Sequence, residues 1–149
     1  MIGIILIAHA NIAGEMLTAA EHVLGKQSLV ATLNVEDSDQ PGLLHDQLTQ
    51  LICQSNTGDG VFILADMFGG TPCNVALSCA EQAHVEILSG FNLPALIKAL
   101  LFRQQTHDLK ELAHEIMSSG KQYICLASDY MAEHGKPGCS TGKDDLSRA

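Results

Sequence analysis

Short unbroken apolar runs alternate along this chain with stretches whose apolar residues return every third or fourth position, the signatures of buried strands and amphipathic helices. The first run is rich in β-branched Ile and stops abruptly at His9. A run that short and that apolar predicts a strand buried on both faces, as in the middle of a parallel sheet. Ile12, Met16, Leu17, Ala20, Val23 and Leu24 then fall at helical spacing, with Asn11 as N-cap and Gly25 as stop. Residues 28–35 predict a second strand and residues 36–42, with Pro41, a loop. Leu43, Leu44, Leu48, Leu51 and Ile52 mark a second helix, which ends in the turn-rich segment 55–60.

Residues 61–65 repeat the character of the first strand, and this run also ends on a reactive side chain, Asp66. Gly69 and Gly70 follow, then Thr71 as N-cap and Pro72 at the first helical position, opening a helix that extends to about Gln82. Residues 85–89 predict the fourth strand. Gly90-Phe91-Asn92-Leu93-Pro94 leads into a helix carrying Leu96, Ile97, Leu100 and Leu101, with Asn92 and Pro94 shaping its start at the rim of the crevice. Asp108 caps the next helix, Glu111 completes a capping-box spacing, and Gly120 closes it. Residues 123–127 read as a short fifth strand. Beyond them the sequence is polar and without periodicity, so the expected organisation is one domain over 1–128 and a flexible tail over 129–149.

Strands and helices in strict alternation predict an α/β fold with a doubly wound, mainly parallel sheet. In the flavodoxin-like order 2-1-3-4, with the fifth strand at an edge, strands one and three are neighbours at the topological switch point. Their spacing of about 4.8 Å brings His9 beside Asp66, outside the carboxyl ends of the strands where ligands bind.

Composition narrows the choice of partner. The 149 residues carry a formal net charge of -9 and hold no Lys/Arg cluster, which argues against nucleic acid and anionic membrane. Five cysteines are odd in number and form no C-x-x-C pair, so they read as reduced cytosolic thiols rather than a disulfide framework or zinc site. The apolar start lacks the basic flank of a signal peptide, and no segment approaches the roughly 20 apolar residues of a membrane span, so a soluble, cytoplasmic protein without membrane insertion is expected.

A histidine paired with a carboxylate is held in one tautomer, which leaves the other ring nitrogen free to attack an electrophile. Gly69, Gly70 and Thr71 beside it offer backbone N–H groups, a hydroxyl and a helix N-terminus, the ingredients of an anion site. Together they suggest phosphoryl transfer onto His9. Each feature alone has an ordinary reading: a structural histidine, a turn aspartate, a strand-to-helix connection. His22, His45, His107 and His114 fall on or beside polar helix faces, His84 in a turn and His134 in the tail, so all six are expected to be solvated. His114-Glu115 lacks the second histidine of a zinc-protease motif. Cys73 has no basic activator and reads as a small helix residue. Residues 138–143 have the wrong spacing for a phosphate loop, and the absence of G-x-G-x-x-G with only 4% aromatic residues counts against a flavin or nucleotide protein.

The strand ending on His9, the segment Asp66-Met-Phe-Gly69-Gly70-Thr71-Pro72-Cys-Asn74 and the Gly-Phe-Asn-Leu-Pro turn resemble the IIA component of the mannose family of the phosphoenolpyruvate-dependent sugar phosphotransferase system, from Met1 to about Ala127. The resemblance implies that His9 accepts a phosphoryl group from the phosphocarrier HPr and passes it to a IIB component. It also implies that Asp66 orients the imidazole and that Gly70 and Thr71 help hold the phosphate, with no metal or nucleotide cofactor because the donor is already a phosphohistidine. A homodimer that exchanges its last strand is implied as well. Ala10 stands where the family often has Gly. A different role uses the same chemistry: a stand-alone regulator whose His9 phosphorylation state is sensed by a partner.

Overall fold

The computed structural model describes residues 1–81 and 84–135. Four strands, β1 (Gly3–His9), β2 (Val30–Val35), β3 (Val61–Ala65) and β4 (Val85–Ser89), form one parallel sheet in the order β2-β1-β3-β4. In register, Ile7 faces Ala65 across β1 and β3, and His9 faces Val35 across β1 and β2. The anticipated strand order is therefore the observed one, with the switch point between β1 and β3.

The connecting helices are α1 (Ile12–Leu24), α2 (Pro41–Ser55), α3 (Thr71–Ala80), α4 (Leu93–Phe102) and α5 (Leu109–Gln122), and α6 (Ala127–His134) follows. Side chains alternate across a strand, so β1 and β3 feed two separate cores. Ile4, Leu6, Ala8, Phe62 and Leu64 pack with Ala13 and Ala20 of α1, Leu96 and Leu100 of α4, and Leu112 and Ile116 of α5. Ile5, Ile7, Val61, Ile63 and Ala65 pack with Leu44, Leu48 and Ile52 of α2 and Cys73, Ala76 and Cys79 of α3. Each buried Ile or Leu stabilises the fold by about 1.5–3 kcal/mol, so the two central strands, buried without exception from Ile4 to Ala8 and from Val61 to Ala65, are the rigid platform of the molecule.

At the amino end of that platform Arg103, which caps the carboxyl end of α4, is only 2% exposed. Its guanidinium donates to the carbonyls of Ile2 (3.4 Å), Leu29 (3.1 Å) and Ser28 (2.6 Å), while Nε has no partner. These bonds pin the entry to β2, where Leu29 sits at φ 56°, a backbone region that favours glycine. The second strand accordingly begins at Val30 rather than at Ser28.

Other boundaries shift for local reasons. Pro41 serves as the opening residue of α2, so the helix starts earlier than its apolar stripe. Gly70, not Thr71, is the N-cap of α3, and Thr71 and Pro72 occupy its first turn. The helix that Gly120 was expected to close continues to Gln122. Gln82, the expected end of α3, lies outside the described residues.

The anticipated fifth strand is absent from the described residues. Residues 124–126 carry no regular structure, and Ile124 and Leu126 are 75% and 70% exposed. A strand needs a neighbour for its ladder, and the sheet of this chain supplies none to this segment. Asp129, the first residue of the expected tail, lies in α6, an eight-residue helix that buries nothing. Residues 136–149, including the segment 138–143, lie outside the described residues.

Candidate functional site

His9 is the last residue of β1 and shares the parity of Ile5 and Ile7, so its ring turns toward the layer of α2 and α3. Asp66 immediately follows β3, the neighbouring strand. The two meet: His9 Nδ1 lies 2.7 Å from Asp66 Oδ2, and the backbone N–H of His9 donates to the same oxygen at 2.9 Å. The backbone N–H of Met67 donates to Oδ1 at 2.9 Å. One carboxylate is thus held by a ring nitrogen and two main-chain amides, which leaves it little freedom to rotate.

Partial burial pushes the Asp66 carboxyl upward, but the His9 amide, the His9 ring and its charge, and the Met67 amide outweigh it and hold the group below the ordinary carboxylate range. An ionised Asp66 cannot donate. The bridging proton therefore sits on His9 Nδ1, and in the neutral imidazole Nε2 carries the lone pair. With its side chain 39% exposed against 14% for Asp66, the imidazole is the accessible member of the pair.

Gly70 closes one side of the ring. A Cβ built there would lie 2.9 Å from His9 Cε1 and 3.5 Å from Nε2, so the glycine lets the start of α3 approach the free nitrogen. Its φ of -80° suits any residue, so space rather than backbone freedom calls for glycine here. Gly69 is the reverse case, with φ 83° and nothing near its absent Cβ. The first N–H groups of a helix have no partner within the helix, which leaves the amides of Thr71 and Cys73 as donors at this end of α3, Pro72 having none. The Asn74 amide is already bonded to the Gly70 carbonyl at 3.0 Å.

The structure thus brings His9, Asp66 and Gly70 together, with Gly69 and Thr71 flanking Gly70 in the same turn. Several contributors have no signal in the pattern of residues. The His9 and Met67 amides act through backbone geometry alone. Ala10, at φ 48°, turns the chain sharply from β1 into α1 while its amide stays on the Val35 carbonyl at 2.9 Å. Asn11 flanks α1 without a side-chain cap, and Asn34 of β2 instead accepts from the Gly14 amide at 3.2 Å. An asparagine near the end of a strand otherwise made of Val, Ala, Thr and Leu was the available sign of that role. Met67 and Phe68, 54% and 75% exposed, form an apolar rim beside the pair.

Among the other histidines, His45 is not simply solvated: its Nδ1 lies 2.8 Å from Ser78 Oγ and 3.5 Å from the buried Cys79 Sγ, at the seam of α2 and α3. His107 Nδ1 lies 2.8 Å from Asp59 Oδ2. Among the described residues, no three His, Cys, Asp or Glu side chains gather as a metal site would require. No helix among them is long and apolar enough to cross a membrane.

Against known proteins, residues 3–117 match the EIIA-man family model, described as a PTS system fructose IIA component. The PTS mannose-specific EIIAB component of Escherichia coli K12 is 27% identical over 124 residues, which is 83% of this chain but 38% of that protein. The PTS fructose-specific EIIA component of Bacillus subtilis is 24% identical over 147 residues, 98% of this chain and 100% of that one. Among solved structures, the phosphotransferase system component EIIA from Streptococcus agalactiae superposes with a TM-score of 0.79 at 27% identity, covering 87% of this chain and 99% of the other.

Proposed function

This chain belongs to the EIIA-man family of phosphotransferase system components, and on that premise we propose that it is a phosphohistidine carrier whose acceptor atom is His9 Nε2. The observation that carries the reading is the 2.7 Å contact between His9 Nδ1 and an ionised Asp66, which leaves Nε2 as the nucleophilic nitrogen of a partly exposed side chain. The donor is HPr and the downstream acceptor a IIB component, with the exchange taking place in the cytoplasm.

In the transfer, the phosphorus–nitrogen bond to the donor imidazole breaks as the bond to Nε2 forms, and negative charge spreads over the three equatorial oxygens. The ring gains positive character, which Asp66 stabilises through the Nδ1 proton without taking it. Gly70 lets the turn lie close and Gly69 supplies its left-handed bend, and the amide and hydroxyl of Thr71 at the start of α3 stabilise the phosphoryl oxygens. Because the phosphoryl group arrives on a histidine of similar energy, the transfer runs in either direction and needs no metal or nucleotide.

The carrier works as a homodimer in which residues 123–127 are exchanged. In support, β4 is an edge strand, and a groove of ≈ 330 Å³ beside it combines the apolar Ile87, Leu88, Ala113 and Met117 with the polar Glu86, Lys110 and His114. The exposed Ile124 and Leu126 have the alternation that such an added strand requires.

The test is incubation with enzyme I, HPr and labelled phosphoenolpyruvate, comparing wild type with His9→Ala. Acid-labile, alkali-stable label on wild type alone is expected, followed by its loss to an added IIB protein. Label that forms but never leaves points instead to a regulator that reports its phosphorylation state to a partner. Absence of label on both folded proteins overturns the carrier reading.

A further inference from the structure

Asn92 stands away from the His9–Asp66 pair yet is tied to it through the backbone of the 90–91 turn, whose amides are bonded to the residue before Asp66. The carbonyl of Ala65, the residue before Asp66, accepts from the Gly90 amide at 2.9 Å and the Phe91 amide at 3.4 Å. The turn that offers these two amides is anchored by the next residue. Asn92 Oδ1 accepts from the Ala95 amide at 3.0 Å and caps α4, while Asn92 Nδ2 donates to the Gly120 carbonyl of α5 at 3.0 Å. α5 approaches closely there: a Cβ at Gly120 would lie 3.2 Å from Ala95 Cβ and 3.5 Å from Asn92 Oδ1.

We infer that Asn92 is a positioning residue for His9: by locking the 90–91 turn between α4 and α5 it fixes the Ala65 carbonyl, and with it the direction in which the Asp66 carboxylate meets the imidazole. A cap alone requires an acceptor, which Asp also provides; the bond to the Gly120 carbonyl requires a donor, which Asn92 Nδ2 supplies and an ionised Asp lacks. That second bond lies two residues before the end of α5, at the root of segment 123–127. The position of that segment and the setting of the imidazole therefore share one side chain. The inference deepens the carrier reading and rests on it for its effect on transfer, although its effect on the imidazole does not.

The experiment compares wild type with Asn92→Asp, which keeps a capping oxygen and loses the donor. Nitrogen-15 chemical shifts of His9, read on the unphosphorylated protein, are expected to move from a fixed Nδ1–H form toward mixed tautomers. The maximal rate of transfer from phospho-HPr is expected to fall about 10-fold with KM within about twofold, since misplaced reacting groups slow chemistry more than docking. Gly120→Ala, which crowds Asn92 from α5, moves both readouts the same way and serves where the residue-92 variant fails to fold. A lowered Tm with wild-type His9 shifts and rate overturns the inference and leaves Asn92 a helix cap. A wild type that takes no phosphoryl group overturns the carrier reading instead, and the nitrogen shifts still decide the role of Asn92.

Discussion

At the two ends of the central strands Arg103 and His9 are held in opposite ways. At the amino end, Arg103 is buried at 2% exposure, and its terminal nitrogens are spent on the carbonyls of Ile2, Ser28 and Leu29. No carboxylate among the described residues pairs with it, and burial pushes its pKa down. At the carboxyl end, His9 is partly open, with one nitrogen fixed on Asp66 and the other free. The first arrangement is all restraint and leaves no lone pair or open face for a ligand. The second restrains half of a side chain so that the other half can react. Burial of a charged group thus marks chemistry only where part of the group remains accessible.

The largest expected effect comes from the restrained end. Arg103→Met keeps an apolar stem but withdraws the donors from three carbonyls, and is expected to cost about 3 kcal/mol of stability, read as a lowered urea midpoint. The nitrogen shifts of His9 should stay at their wild-type values in the folded variant. An unchanged midpoint would dissolve the contrast, because Arg103 would then be no more structural than a surface residue.

Asp66→Asn tests the reactive end. Its amide presents a donor or an acceptor to Nδ1 but no charge, so the ring loses both its fixed tautomer and the stabilisation of its cationic form. Transfer is expected to slow about 100-fold, that is by about 2.7 kcal/mol of barrier, in a protein that still folds. The stability effect carries a definite sign. The folded pKa of Asp66 lies below its unfolded value, so the ionised group contributes stability above the unfolded pKa, near 4 for an ordinary Asp. That contribution disappears as pH falls through the folded pKa. Unfolding curves of wild type and variant should therefore differ at pH 7 and converge toward pH 2. A gap that is constant with pH would mean that the carboxylate charge does not matter to the fold.

How much of this contrast was legible beforehand follows from its physics. The platform was legible, because β1 and β3 are unbroken apolar runs and the order of strands follows from their alternation with helices; His9 and Asp66 came with it, as the polar residues on which those runs end. Arg103 was not legible: one arginine after a helix carries no periodic sign of being buried. Segment 123–127 has the composition of a strand, but the described chain offers it no neighbour, and α6 buries no stripe that could have announced a helix. The N-cap of α3 was misplaced by one residue because Gly70 and Thr71 are both acceptable caps, and backbone geometry decides between them.

Gly70→Ala separates space from flexibility at the site. The backbone at residue 70 accepts alanine, so the fold should hold within about 0.5 kcal/mol, the usual range for a substitution outside the core. The new methyl group would press on His9 Cε1 from 2.9 Å, and the ring must shift from its place against Asp66. Transfer is expected to drop about 10-fold through that misalignment, with the Nδ1 proton resonance of His9 broadened. Gly69→Ala is the control: the strain falls on the backbone, so stability suffers before the imidazole does.

The smallest effect is expected at Ala10, and it bears on whether restraint at the reactive end comes from side chains alone. Its φ of 48° costs a residue with a Cβ up to about 1 kcal/mol relative to glycine. Its amide, bonded to the Val35 carbonyl, and the amide of His9, bonded to Asp66, both depend on that turn. Ala10→Gly relieves the strain but widens the backbone choices of the unfolded chain, so the two contributions oppose each other. Stability is expected to change by less than about 0.5 kcal/mol, because the strain relieved and the entropy added are of similar size. The rate of transfer should be unchanged, since the His9 amide remains held by Asp66 and β1 remains paired on both sides. A marked fall in rate without loss of stability would show that the stiffness of alanine in the turn, and not the carboxylate alone, holds the imidazole in place.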